Sequence, residues 1–258
     1  MQRGSGYFFT LNVVLLLLVL SGFAPTFYLT PATVRETFPA HLILHGAVLT
    51  LWFLWAAGQV SLVRLGRPDL HRITGTVGVL IGAVAVYAGP VATVGAIAPL
   101  RARGLEWTSN MSAYPALGIE SMNLDQYSRA LVWGNFASAL CFALLLAGAV
   151  YWRRRPDVHK RLITLASIAY IPPALARISR WPYLGGEDGV VVPLFFIALL
   201  LSMMIHDRRT GGRVHRATWA GIALIAVLNI VALIVAATPG GQAFVRSLAL
   251  VGQLLPVA

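Results

Sequence analysis

One cysteine in 258 residues leaves no partner for an intrachain disulfide, and only nine acidic residues leave little room for a charged, water-facing surface. The single thiol, Cys141, sits inside an apolar run and carries no information about redox compartment. Charged residues make up 11% of the chain, against about 25% in a soluble domain. Read from the sequence, no aspartate or glutamate lies within a long apolar run, which weakens proton-coupled transport through an intramembrane carboxylate. The chain also lacks a Walker motif, Gly-x-Ser-x-Gly, His-Glu-x-x-His and Cys-x-x-Cys, so the usual soluble-enzyme chemistries have no foothold.

What the chain does have is seven apolar stretches, at about 8–29, 39–63, 73–99, 129–151, 162–180, 190–206 and 217–237. Each is long enough to cross a hydrocarbon core of about 30 Å as a helix. Lipid offers no hydrogen-bond partners to a backbone, so helices are expected and an open sheet is excluded. The expected fold is a single all-α transmembrane domain spanning 1–258, a polytopic bundle of seven helices. Arg3 before the first run suggests a signal peptide. However, the run is long and the best small-residue site, Gly22-Phe23-Ala24, is followed by Pro25, so a retained span is expected.

The net charge of +11 is unevenly placed. With the N-terminus inside, thirteen of the twenty basic residues fall in cytoplasmic pieces, among them Arg64, Arg67, Arg72, Arg153, Arg154, Arg155, Lys160, Arg161, Arg208, Arg209, Arg213 and Arg216. Six of the nine acids fall opposite: Glu36, Glu106, Glu120, Asp125, Glu187 and Asp188. This sets an N-in, C-out orientation. The basic side is expected to meet anionic lipid headgroups rather than nucleic acid. The one long loop, 100–128, holds Trp107, Tyr114, Pro115 and Tyr127, and it reads as an outer lid or as an aromatic interfacial segment.

A short motif repeats. Arg67-Pro-Asp-Leu-His71-Arg72 returns as Arg155-Pro-Asp-Val-His159-Lys160, with a degenerate third copy at Val214-His215-Arg216. Each copy precedes an outward-running span, which suggests three hairpins, spans 2–3, 4–5 and 6–7, beside a separate first span. Proline ends the incoming backbone run and the aspartate is expected to cap the next helix.

Two histidine pairs are candidate sites. On the second span, His41, His45, Val48, Trp52, Trp55 and Gln59 follow 4-3-4-3-4 spacing and share one helix face. The i, i+4 histidines can chelate a metal from one side or face a quinone; the other reading makes them interfacial. Trp52, Trp55, Gln59 and, on the fifth span, Tyr170 are expected to line a pocket. His71 and His159 begin the third and fifth spans at one depth, an arrangement that suits two-histidine haem ligation. Gly75, Gly78, Gly82 and Gly89 share the His71 face and suit either a close helix or a flat macrocycle. Arg177 either snorkels to water or contacts a haem propionate, a quinone carbonyl or an anion. Pro172-Pro173 is expected to kink the span between Tyr170 and Arg177. His41 and Gln59 are 18 residues apart, roughly 27 Å along a helix, so the two pairs cannot share one metal.

On His41-x3-His45, Trp52, Gln59, Gly66-Arg-Pro-Asp-Leu-His71-Arg72 and Arg153-Arg-Arg-Pro-Asp-Val-His159-Lys-Arg-Leu, the chain resembles a family of predicted bacterial integral membrane proteins whose domain has no assigned function. The resemblance covers about residues 38–180 and implies a bacterial inner (plasma) membrane location, without implying an activity. More remotely, the paired histidines look like those of the diheme b-type membrane cytochromes, although the fourth span, 129–151, carries no histidine. The leading expectation is a membrane redox protein with haem b or a transition metal and a quinone or redox partner. The competing one is a non-catalytic permease, sensor or accessory subunit with structural histidines. A lipid-modifying enzyme lacks a carboxylate near the histidines.

Overall fold

The computed structural model describes residues 5–35, 38–102, 104–111, 122–181, 183 and 190–252. The described residues are helical apart from connections and one isolated bridge between Asn110 and Asn123. In chain order the helices are α1 (Ser5–Phe23), α2 (Ala32–Arg35), α3 (Ala40–Arg64), α4 (Pro68–Ala102), α5 (Leu124–Tyr151), α6 (Pro156–Ala169), α7 (Pro172–Ile178), α8 (Val191–Gly211), α9 (Arg216–Ala237) and α10 (Pro239–Gly252). A π-helical turn, Ala24–Tyr28, continues α1. Among the described residues six helices are long and apolar enough to cross a membrane, and α6 with α7 forms a seventh candidate bent by 47°.

The bend is where the sequence places it. Pro172 and Pro173 have no N–H, so the carbonyl of Ala169 loses both its i+3 and i+4 backbone donors. Elsewhere the helices begin on proline at Pro68, Pro156 and Pro239, where the missing donor is harmless. α5 instead starts with a reciprocal capping box between Asn123 and Gln126.

The repeated Arg-Pro-Asp motif does not cap in the expected way. Proline is the first helical residue in both copies, which puts the aspartate one position too far in. Asp69 pairs with Arg67 at 3.1 Å and Asp157 with Lys160 at 2.7 Å, acids that suit the positive end of a helix dipole. In the third copy it is His215 whose Nδ1 accepts from the Ala217 amide at 3.1 Å and caps α9.

Two of the three expected hairpins form. α3 packs along α4, and α5 along α6. The third does not, because α8 and α9 scarcely touch. α9 lies on α5 instead, with Gly221 admitting Leu165 and Leu145. Nor is α1 separate: it packs on α3 and α7, and Tyr7 bonds Ser202 of α8 at 2.8 Å. The core is built from Trp52, Phe53, Phe142, Leu165, Ile168 and Leu175, all below 3% exposed. Leu194, Ile197, Leu201 and Ile205 form an exposed apolar stripe along α8, and Val227, Ile230 and Leu233 another on α9. Such faces suit acyl chains.

α10 is unforeseen in the sequence. Its Val245 and Ala249 bury against Ile97 and Val132, and its Gly241 carbonyl accepts from Trp133 Nε1 at 3.3 Å. It also reaches Asp125 through Gln242 at 3.0 Å and Arg246 at 3.3 Å. For reference, the end of the bundle holding Arg64–Arg72, Arg153–Arg161 and Arg208–Arg216 is the basic end; α10 lies at the opposite end.

One expectation about the basic end fails. Arg161 does not face headgroups, and Asp207 lies within α8 rather than in a connection. Their side chains, 9% and 2% exposed, pair at 2.5 Å. Asp207 also accepts from Thr218 Oγ1 at 2.5 Å and from the His215 amide at 3.1 Å, while Arg161 Nη1 donates to the Asp157 carbonyl. A carboxylate in this bundle is tolerable because charge and hydrogen bonds surround it.

Candidate functional site

His71 lies in the first turn of α4 and His159 in the first turn of α6, both at the basic end. Their ring centroids are 6.1 Å apart with planes at 80°. His159 Nδ1 sits 2.9 Å from the Ala149 carbonyl. A carbonyl only accepts, so that nitrogen carries the proton and Nε2 keeps its lone pair free. His71 Nδ1 is buried without a hydrogen-bond partner. α4 and α6 each pack on α5 and barely approach one another, so the ring pair is one of the few places where they meet.

The glycine stripe on α4 is divided in use. A Cβ on Gly78 would strike Trp55, and one on Gly82 would strike Leu146, so these two glycines seat neighbouring side chains. Gly75, one turn from His71, faces open space.

Two imidazoles are few for a bare ion. A structural zinc takes four ligands and a catalytic one at least three. Among the described residues no group of three or more histidine, cysteine, aspartate or glutamate side chains could hold a metal. This limits both pairs equally. Haem differs, because the macrocycle supplies the equatorial ligands and the protein needs only axial ones.

The second pair lies toward the opposite end. His41 Nε2 rests on the α4 backbone at Gly95, and the Phe27 ring covers Gly46 beside His45. His41 Nε2 and His45 Nδ1 are both buried without hydrogen-bond partners. Arg177, near the end of α7, is close enough to His45 to act on it electrostatically, and Tyr127 is likewise within reach of Arg177. Arg177 Nη1 donates to the Pro173 carbonyl at 3.1 Å, its guanidinium lies 4.1 Å over the Phe23 ring, and its Nε is buried and unpartnered. The structure thus separates Arg177 from His71 and His159, because 18 residues of α6 and α7, roughly 27 Å along a helix, lie between it and His159. It lies near His45 instead.

Trp52, Trp55, Gln59 and Tyr170 fill the space between the two pairs rather than lining an open pocket. Trp52 Nε1 donates to Ser167 Oγ at 3.1 Å and its ring is 4.8 Å from Phe142. Trp55 lies 5.4 Å from Trp52. Tyr170 donates to the Ala85 carbonyl at 3.2 Å, and Gln59 Nε2 to Thr74 Oγ1 at 2.6 Å. Cavities lie elsewhere: one of about 210 Å³ beside the α6–α7 break, lined by Ser138, Cys141, Ala169, Phe196 and Asn229 among others, and one of about 410 Å³ lined by Val86, Pro90, Trp133, Phe136 and Leu228 among others.

The described part of the 100–128 loop is tied down. Trp107 lies between Arg101 and Arg246, and its carbonyl accepts from the Asp125 amide at 3.0 Å. Tyr114 and Pro115 lie outside the described residues, as do Glu36, Glu120, Glu187 and Asp188. Sequence reasoning missed the Arg161–Asp207–Thr218 cluster, and it missed His206, which stacks on Tyr7 at 3.9 Å. Comparison with protein-family models, curated proteins and solved structures finds no match to this chain.

Proposed function

We propose that this is a multi-pass protein of the bacterial inner membrane, with its basic end in the cytoplasm, that holds a haem between His71 and His159 and serves membrane redox chemistry with a quinone or protein redox partner. The observation that carries the reading is the ring pair at 6.1 Å. Two metal–nitrogen bonds of about 2 Å each, plus the depth of two imidazole rings, come to about 6 Å. The Ala149 carbonyl fixes the tautomer of His159 and directs Nε2 away from the backbone, the usual support of a ligating histidine. The open space at Gly75 favours a flat group at this place. When bound, the haem would supply one-electron chemistry; the chain's part is to orient the two rings and exclude water from one side.

The test is the colour of the protein. Full-length protein purified from haem-replete cells should show a Soret band and reducible visible bands. His71→Ala and His159→Ala should each lose them while eluting as the same monodisperse species. A colourless wild-type preparation overturns the reading.

The alternative is a non-catalytic permease, sensor or accessory subunit. The filling of Gly78, Gly82 and Gly89 by Trp55, Leu146 and Tyr170 favours it, since it assigns three of the four glycines of the stripe to packing. It predicts that both alanine variants change stability alone.

A further inference from the structure

The polar groups at the end opposite the basic residues have no role in the haem reading. Three nitrogen atoms there, His41 Nε2, His45 Nδ1 and Arg177 Nε, are buried with no hydrogen-bond partner, as are Trp55 Nε1, Gln59 Oε1 and His71 Nδ1 elsewhere in the bundle. Buried polar atoms in native proteins are nearly always paired, so they require an explanation. Packing supplies only part of one: the His45 ring also engages the Ala88 backbone. Arg177 spends one nitrogen on the Pro173 carbonyl and one face on Phe23, which leaves donors over. Nor does a described carboxylate answer it: Asp125 is engaged by Arg129, Gln242 and Arg246, and Glu106 by Arg101.

We infer that His41, His45 and Arg177 bind the head of a lipid-soluble molecule that offers acceptor oxygen and no positive charge, either a carboxylate or a quinone carbonyl. Guanidinium has only donors, and a neutral imidazole offers one donor and one acceptor. The cluster therefore suits an electron-rich head and repels an ammonium. Its place in the fold calls for a lipid-soluble carrier. His41 and His45 occupy the first two turns of α3 and Arg177 the last turn of α7, near the membrane boundary. Phe23 beneath Arg177 and Phe27 over Gly46 give the cluster apolar neighbours. This inference stands apart from the haem, and neither needs the other.

Binding is tested on the full-length protein in nanodiscs of zwitterionic lipid. The probes are decylubiquinone, oleate and dodecyltrimethylammonium, and retained probe is read by mass spectrometry. At least one of the oxygen-headed probes should bind saturably; the tighter one identifies the source of the head. The ammonium should not bind. Arg177→Gln and His45→Leu should each weaken binding about 10-fold or more, the effect of losing one charge-assisted or buried hydrogen bond. If Arg177→Gln fails to fold, Arg177→Lys keeps the charge but loses the planar fork and should still weaken binding several-fold. Retention of the ammonium to the same degree as the other probes overturns the inference. So does the absence of saturable binding, or wild-type affinity in well-folded variants.

Discussion

Two arginines in this bundle have opposite surroundings. At the basic end, Arg161 meets Asp207, which in turn is held by Thr218 and the His215 amide, so a buried charge is answered on every side. At the other end, Arg177 has a carbonyl and an aromatic face but no described counter-charge, and two unpartnered imidazoles lie nearby. The first arrangement uses its hydrogen-bonding capacity fully; the second, among the described residues, leaves one nitrogen of each group over. Burial of charge is therefore a poor pointer to function by itself; what distinguishes the two ends is whether the hydrogen-bonding capacity has been used.

Removing one partner from the complete cluster should have the largest effect. Asp207→Ala leaves a buried guanidinium with only Asp157, whose exposed carboxylate is 3.8 Å away, and is expected to destabilise the protein by about 3–5 kcal/mol, seen as a large drop in thermal unfolding temperature in detergent. The double change Arg161→Met with Asp207→Leu should recover most of that loss, because neither charge remains. Thr218→Val removes a short hydrogen bond to the carboxylate and should cost about 1.5–3 kcal/mol by the same measurement. Arg177→Met leaves no charge stranded, so stability should change by no more than about 1 kcal/mol while the binding described above is lost. If Arg177→Met proves as damaging as Asp207→Ala, the contrast between the two ends collapses.

The smallest effect concerns pH. Burial first, and then the nearby Arg161 guanidinium, hold the His215 pKa below the usual histidine value. The neutral ring is the form that accepts from the Ala217 amide. Its contribution is present above the ordinary histidine pKa and is lost as pH falls through the lowered folded value. His215→Asn retains a capping side chain that does not titrate, so its unfolding temperature should fall less than that of the wild type between pH 7 and pH 5.

The helices long and apolar enough to cross a membrane were legible because apolar length is a one-dimensional property. So was the broken crossing, since two consecutive prolines remove two donors whatever surrounds them. The stripe from His41 to Gln59 correctly faces inward, because helical spacing alone sets which residues share a face. Partnering was not legible. Asp207 directly precedes Arg208 and Arg209 at the end of an apolar run and reads as part of a solvated turn; only the approach of α6 and α9 encloses it. α10 was missed because Pro239–Gly252 is amphipathic and short, with its apolar side meaningful only against Ile97 and Val132. The separation of Arg177 from His159 was legible, since 18 residues along one span amount to roughly 27 Å.

The Arg161–Asp207 contact has a consequence for how the chain is made. Asp207 emerges from the ribosome 46 residues after Arg161. Until it arrives, the guanidinium has only the exposed Asp157 carboxylate, 3.8 Å away, as counter-ion and lacks its buried one. The bundle is therefore expected to close late, when α8 is delivered, and a chain truncated before residue 207 should remain an open intermediate exposed to membrane quality-control proteases.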